Sequence, residues 1–342
     1  LALSFPMIAV AACGMGGDDD GEVANDNDPP LASEDDVKGD APDDATLPDE
    51  TKADAVFPKQ YDIRASQSPV KSQGSRGVCS IFATVAQVEN VYIKAGMPSP
   101  DFSEQYLQWS VKNEVRDFTW TEGSNGDSNL ESVRDYGIVE EAAWPYESSP
   151  WSTANDPACT GEDRPTICWT NGEPPESARS ARKWRIPESR YLSTRSIKQH
   201  ITSKGTGVVV GMTFFYQSWN HRRSELPVSS ALWNEGVVTY PNAKDKEVSL
   251  AKRAGHAIHI IGWDDDREAP MRDETGAILK DENGNDRMEK GFWMFKNSWG
   301  TSGFGINHPA GPGYGWLSYR YVSEYGSAVV AGTPTLEAPA EV

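Results

Sequence analysis

The chain has 342 residues and is 37% hydrophobic, with 12 Trp, 12 Tyr and 10 Phe, enough to bury a core in one large domain or two small ones. Its net charge of −19 excludes the basic surface that nucleic acid requires. Charge and aromatics are unevenly spread: residues 14–56 hold 15 Asp/Glu, two Lys (Lys38 and Lys52) and no Phe, Trp or Tyr, which leaves only −6 for the rest of the chain.

Residues 1–12, Leu1 through Ala12, form an apolar stretch too short to span a bilayer and ending in small residues, as a signal peptide does before its cleavage site. Val10-Ala11-Ala12-Cys13 resembles the lipobox of bacterial lipoproteins, in which the cysteine is acylated. Cys13 is therefore expected to anchor an exported envelope protein to a membrane, at the cell surface or in the periplasm, since several acyl chains together hold where one does not. Residues 14–56 cannot bury enough apolar surface to offset ordering, so they are expected to be a disordered acidic tether.

From Phe57 the pattern becomes that of a folded domain, expected to run to residue 330 with a disordered tail over 331–342. After the extended entry 57–64, a glycine-containing polar turn at 74–77 leads into a helix over 79–95, with Phe82, Val85, Val88 and Tyr92 at helical spacing and Gly96 and Pro98 to stop it. Ser103 caps a second helix and 128–136 reads as a third. The second half changes character: 207–212, 236–240, 257–263, 291–296 and 315–319 are β-branched or aromatic runs. Helices first and strands later point to an α+β protein with a helical lobe and a sheet lobe. The polar stretch 264–289 reads as an exposed inserted hairpin.

The chemistry concentrates in three short segments. Gln73-Gly74-Ser75-Arg76-Gly77-Val78-Cys79 places a cysteine at a helix start, where the partial positive charge of the helix favours a thiolate. Gly255-His256-Ala257 opens an apolar strand. Asn297-Ser298-Trp299-Gly300 follows an aromatic one. Together these resemble the papain family of cysteine peptidases. The resemblance covers about 57–325 and implies a two-lobed fold with an antiparallel sheet or barrel lobe and the active site in the cleft between lobes.

By that resemblance Cys79 is the nucleophile, His256 its acid/base partner, Asn297 the side chain orienting the imidazole, and Gln73 an oxyanion donor. Gly77, Gly123, Ser124 and Ala257 would meet substrate, and Trp299 would shield the His256–Asn297 bond and line the leaving-group side of the cleft. His259 points to the opposite strand face, and His200, His221 and His308 read as surface residues. Two departures stand out: Arg76 occupies a position where the family commonly has a bridged cysteine, and Ser80 one where it usually has an aromatic. Cys79 and His256 are 177 positions apart, longer than the roughly 130–150 usual in the family, which insertions near 144–190 and 219–246 absorb.

Cys159 and Cys168 are expected to form a local disulfide, because two thiolates with no neighbouring His are too few ligands for zinc. No metal or other cofactor is expected; the acidic turns at 264–266 and 281–286 lack the calcium-loop pattern. Family members usually carry a long helical inhibitory propeptide. The acidic spacer lacks the apolar periodicity of one, so the domain from Phe57 onward is expected to be active without processing. The implied function is hydrolysis of protein or peptide substrates by a monomer, with endopeptidase action. A catalytically silent binding module on the same fold, or acyl transfer by the same residues, are the alternatives.

Overall fold

The computed structural model describes residues 30–161 and 163–336. Cys13, the apolar stretch before it and residues 14–29 and 337–342 lie outside the described residues.

The helical lobe is built on α2 (Cys79–Lys94), which begins where the sequence places it. Its apolar side chains, with those of α3 (Glu104–Ser110) and α4 (Gly126–Asp135), close around a core that includes Val85, Leu107, Leu130 and Ile138. Ser103 accepts the Tyr106 N–H at 3.0 Å to start α3, and Asn125 accepts the Ser128 N–H at 2.8 Å to start α4. Each cap satisfies a helix-terminal donor that would otherwise face no partner.

The second lobe is one sheet of nine strands. These are β1 (Ala32–Ser33), β2 (Gln60–Asp62), β3 (Ser189–Leu192), β4 (Val208–Thr213), β5 (Val237–Val238), β6 (Ala254–Pro270), β7 (Met288–Lys296), β8 (Tyr314–Ser318) and β9 (Gly326–Ala331). Their main path runs β3-β9-β4-β6-β7-β8-β5, with β1 and β2 also pairing to β6. Every pairing is antiparallel except β5 with β8. The long β6–β7 hairpin carries the inserted stretch, with bridges Arg272–Ile278 and Lys280–Asp286 and a turn held by Asp281, so the exposed hairpin read from the sequence is present.

The lobes are joined by buried charge. Lys296 of β7 donates to the carbonyl and hydroxyl of Ser68, both at 2.8 Å. Lys71 reaches Glu89 of α2 at 2.8 Å and Glu104 of α3 at 3.0 Å. Such a cluster is costly to break on one side only, because the remaining charge has no water to turn to.

Three expectations are corrected here. Residues 30–56 are not a free tether. They contain β1, the short helix α1 (Glu34–Lys38) and a 3-10 turn at Asp44–Thr46, and they are tied to the domain at several points as far as Glu50. Asp44 accepts the Thr194 N–H at 2.6 Å, and the Glu50 N–H donates to Ser196 Oγ at 2.7 Å. The Asp44 carboxylate, of the kind the composition argument counted against order, is one of these anchors. At the other end, β9 continues to Ala331 and Leu336 packs against the helical-lobe core, so the fold passes 330. Finally, His200, His221 and His308 are buried rather than at the surface. Trp233 lies beside His221 and Trp316 beside His308, His200 bonds to Thr206, and burial pulls their pKa values down to about 4 for His200 and about 3 for His221 and His308.

Candidate active site

Cys79 is the first residue of α2 and is wholly buried where α2 meets β6. Burial pushes its thiol up to about 11, although the backbone N–H groups of Ala257, Ser80 and Ala32 favour the anion. His256 stands on β6, paired across the sheet with Met212. Its Nε2 lies 2.9 Å from Asn297 Oδ1, while its Nδ1 is buried and makes no hydrogen bond among the described residues. An asparagine oxygen can only accept, so Nε2 carries the hydrogen and Nδ1 is left free to take a proton. The ring lies inside an aromatic cage: Trp299 at 4.5 Å, Trp219 at 5.2 Å and Phe214 at 6.1 Å between centroids. Burial in that cage depresses the imidazole to about 3, against the bond to Asn297 that raises it. In the folded state burial thus works against the charged form of both the thiol and the imidazole.

Gln73 is fixed on three sides. Its Oε1 accepts from Ser298 Oγ at 2.6 Å, and its Nε2 donates to Arg76 O at 2.7 Å and to Pro30 O at 3.0 Å. The side-chain amide thus faces a peptide carbonyl. That carbonyl belongs to residues 30–38, which run through the cleft. Ala32 pairs with Gly255 and Ser33 with Ala254. Arg253 bridges Asp35, and Thr121 donates to Asp36 at 2.8 Å. Val37 is 2% exposed. A Cβ on Gly123 would stand 2.4 Å from Asp36 Oδ2, and one on Gly255 2.3 Å from Val37 Cγ2, so both glycines are spaces that the segment fills.

The remaining expected contacts divide. Gly77 lies beside Leu31 O, 3.5 Å from where a Cβ would stand, and Gly123 beside Asp36, so both face the peptide in the cleft. Ala257 presents its N–H to Cys79. Ser124 instead turns its hydroxyl into the protein, 2.8 Å from Ser80 Oγ, which gives the departure at Ser80 a structural partner. His259 is buried away from this cluster, beside Gly207. Cys159 and Cys168 are joined by a disulfide. Sequence reasoning missed the occupied cleft, the role of Ser298 in holding Gln73, and the partner of Arg76, which is Glu122 at 2.8 Å.

The sequence profile of the papain family cysteine proteases matches residues 57–307, most of the chain. The chain belongs to the papain family. Ananain of Ananas comosus is 24% identical over 288 residues, 81% of this chain and 60% of that protein. Peptidase 1 of Dermatophagoides farinae is 32% identical over 94 residues, 26% of this chain and 27% of its own length. The chain therefore spans between about a quarter and 60% of the length of these curated relatives. Among solved structures, the cysteine protease xylellain of Xylella fastidiosa superposes with a TM-score of 0.53 at 18% identity, covering 90% of this chain and 94% of that one. The cysteine protease and lectin-like domains of Cwp84 from Clostridium difficile give 0.52 at 19% identity, covering 82% and 53%. At these identities the structural likeness speaks to the fold, an α+β two-lobe arrangement of the papain kind, as the order of elements implied.

Proposed function

We propose that this papain-family chain is an endopeptidase held closed by its own residues 30–38. The observation that carries the reading is the course of that segment. A peptide backbone already lies in the site, with a carbonyl on the Gln73 amide and an N–H on the Cys79 thiol, and it runs on past the thiol along β6 to Val37. A groove that takes an extended chain past the thiol suits cleavage within a chain.

In the open state Cys79 passes its thiol proton to Nδ1 of His256, and the thiolate attacks the substrate carbonyl. The oxyanion rests on the Gln73 amide and the Cys79 backbone N–H. The imidazolium, oriented by Asn297, returns the proton to the leaving amine. Water deprotonated by the same imidazole then releases the acyl group and frees the thiol. Removing residues 30–38 readmits water to Cys79, and charge separation between thiol and imidazole becomes affordable in free energy.

Burying Val37 stabilises the closed state by about 1.5–3 kcal/mol, and each ~1.4 kcal/mol is tenfold in the closed-to-open ratio. Val37→Asp in the full chain should therefore raise hydrolysis of an internally quenched peptide at least ~10-fold over the parent, and Cys79→Ala in the same background should remove it. Absence of any peptide cleavage by the Val37→Asp chain, with Cys79 readily alkylated, would defeat the reading. We also propose export and a lipid anchor at Cys13. The Cys159–Cys168 disulfide suits an oxidising compartment, and since the chain is tied to the domain at points from Ala32 to Glu50, any spacer must lie within 14–29. Retention in the membrane fraction after Cys13→Ala would overturn that anchor.

A further inference from the structure

Arg76 is fully buried three residues before Cys79, where an arginine survives only with every donor answered. Its Nε donates to Glu122 Oε1 at 2.8 Å. Nη1 donates to Gln105 Oε1 at 3.0 Å and to Glu147 O at 3.3 Å, and Nη2 to Trp169 O at 3.0 Å. Glu122 uses its second oxygen to accept the Gly77 N–H at 2.7 Å. The same arginine's main-chain carbonyl accepts from the Gln73 amide at 2.7 Å. One guanidinium–carboxylate pair thus ties the loop 73–79 to the turn leading into Gly123. Trp169 directly follows Cys168, so the arginine also joins that loop to the segment closed by the disulfide.

We propose that Arg76 and Glu122 are positioning residues: an ionic crosslink that aims the Gln73 donor and sets Gly77 against the substrate strand. Oxyanion donors work only when their direction is set before the charge develops. Gln73 could rotate about its own side-chain bonds. Here Arg76 O and Ser298 Oγ hold its two ends, and Arg76 is itself immobilised through Glu122. A short-range, directional charge pair gives this aim without a covalent bond, and in a dry setting it is stronger than its surface equivalent. The proposal rests on the peptidase reading above.

The test uses the full chain carrying Val37→Asp, with and without Glu122→Ala and Glu122→Gln. Glu122→Ala should lower kcat roughly 30-fold, below the ~10²–10³ that total loss of an oxyanion donor costs, with KM changed less than about threefold. Iodoacetamide needs no oxyanion hole, so its rate with Cys79 should stay level. Glu122→Gln keeps an acceptor for the Gly77 N–H but leaves Arg76 without its counter-charge, so it should recover kcat only in part, to within about tenfold of the parent; full recovery would overturn the ionic character of the crosslink. An unchanged kcat in Glu122→Ala would overturn the proposal, as would kcat and alkylation falling together with loss of a cooperative melt. Hydrogen exchange at Gly77 in the unmodified full chain reads the tie without any activity: faster exchange in Glu122→Ala supports it and unchanged exchange refutes it. If the Val37→Asp chain cleaves no peptide while Glu122 is intact, the peptidase reading is what fails, and the exchange result alone then decides the crosslink.

Discussion

The two sides of the cleft are built from opposite materials. Around Cys79 the supports are directional: Arg76, Glu122, Gln105, Ser298 and main-chain carbonyls, each bond with a named donor and acceptor. Around His256 they are faces: Trp299, Trp219 and Phe214 surround a ring with one side-chain hydrogen bond, to Asn297. The difference suits the roles proposed above for Gln73 and His256. A donor to an oxyanion has to point, and hydrogen bonds set direction. An imidazole that exchanges protons needs one fixed tautomer and little competing water, and aromatic faces exclude water without offering a rival proton acceptor.

The sharpest way to break this comparison is to remove each side's principal group in the Val37→Asp background. His256→Ala should cost about 10⁴-fold or more in kcat, as loss of an acid/base partner does, whereas Gln73→Ala should cost about 10²–10³-fold. Asn297→Ala should fall short of His256→Ala, since it orients the base without moving the proton. Equal losses for Gln73→Ala and His256→Ala, by steady-state kinetics, would erase the distinction between aiming and transferring.

A subtler probe opens the cage. Burial is the main cause of the depressed His256, now at about 3, so Trp299→Ala should move its titration up toward the ordinary histidine value, as read by NMR of the full chain. Activity in the opened background should fall about tenfold through a less fixed imidazole, a shift of about 1.4 kcal/mol. A titration that stays near pH 3 would show that the aromatic faces do not set it.

The smallest effect tests the polar side. Lys112 is buried, donates to Gly123 O at 3.0 Å, and is lowered to about 7 chiefly by burial. Between that value and the ordinary 10.5 the unfolded chain binds a proton that the folded chain has released, so this lysine makes stability rise with pH over that window. Lys112→Met should flatten the rise seen in thermal melts between pH 7 and 10. It should also add about 1–2 kcal/mol at pH 7, net of a lost hydrogen bond worth about 1 kcal/mol. A slope identical to the parent's would mean that other groups carry it.

The reach of the sequence depended on how local each signal was. Gln73 and Cys79 lie within seven residues, and Asn297 and Trp299 within three, so motif and geometry could be read together. α2 and the long β6–β7 hairpin were legible for the same reason, being carried by continuous apolar patterns. Arg76 was visible as a departure, but its partner Glu122 is one ordinary acidic residue 46 positions away. The segment 30–38 was hidden by averaging. Its few apolar side chains, Leu31, Ala32 and Val37, vanish in a 43-residue acidic stretch. What holds the segment is mainly backbone pairing to β6 and acidic contacts to Arg253 and Thr121. The histidines misread as exposed failed similarly: His221 is covered by Trp233 and Trp299, His308 by Tyr314 and Trp316, and His200 bonds to Thr206, contacts that no local pattern announces.

The path of the chain after α1 has a kinetic consequence. Residues 39–59 connect the cleft-filling segment to β2, with Asp44 and Glu50 anchored on the way and Lys52, Ala53, Asp54 and Val56 exposed. While this connection is intact, the segment competes with substrate at an effective concentration on the order of millimolar, as short linkers give. One cut among the exposed residues 52–56 would turn it into a separate ligand at the concentration of the protein itself. At micromolar protein that is roughly a thousandfold drop in occupancy pressure, achieved without altering a single contact in the cleft. A peptidase built this way would switch on dilution-dependently, and the released state would persist because rebinding becomes a second-order event.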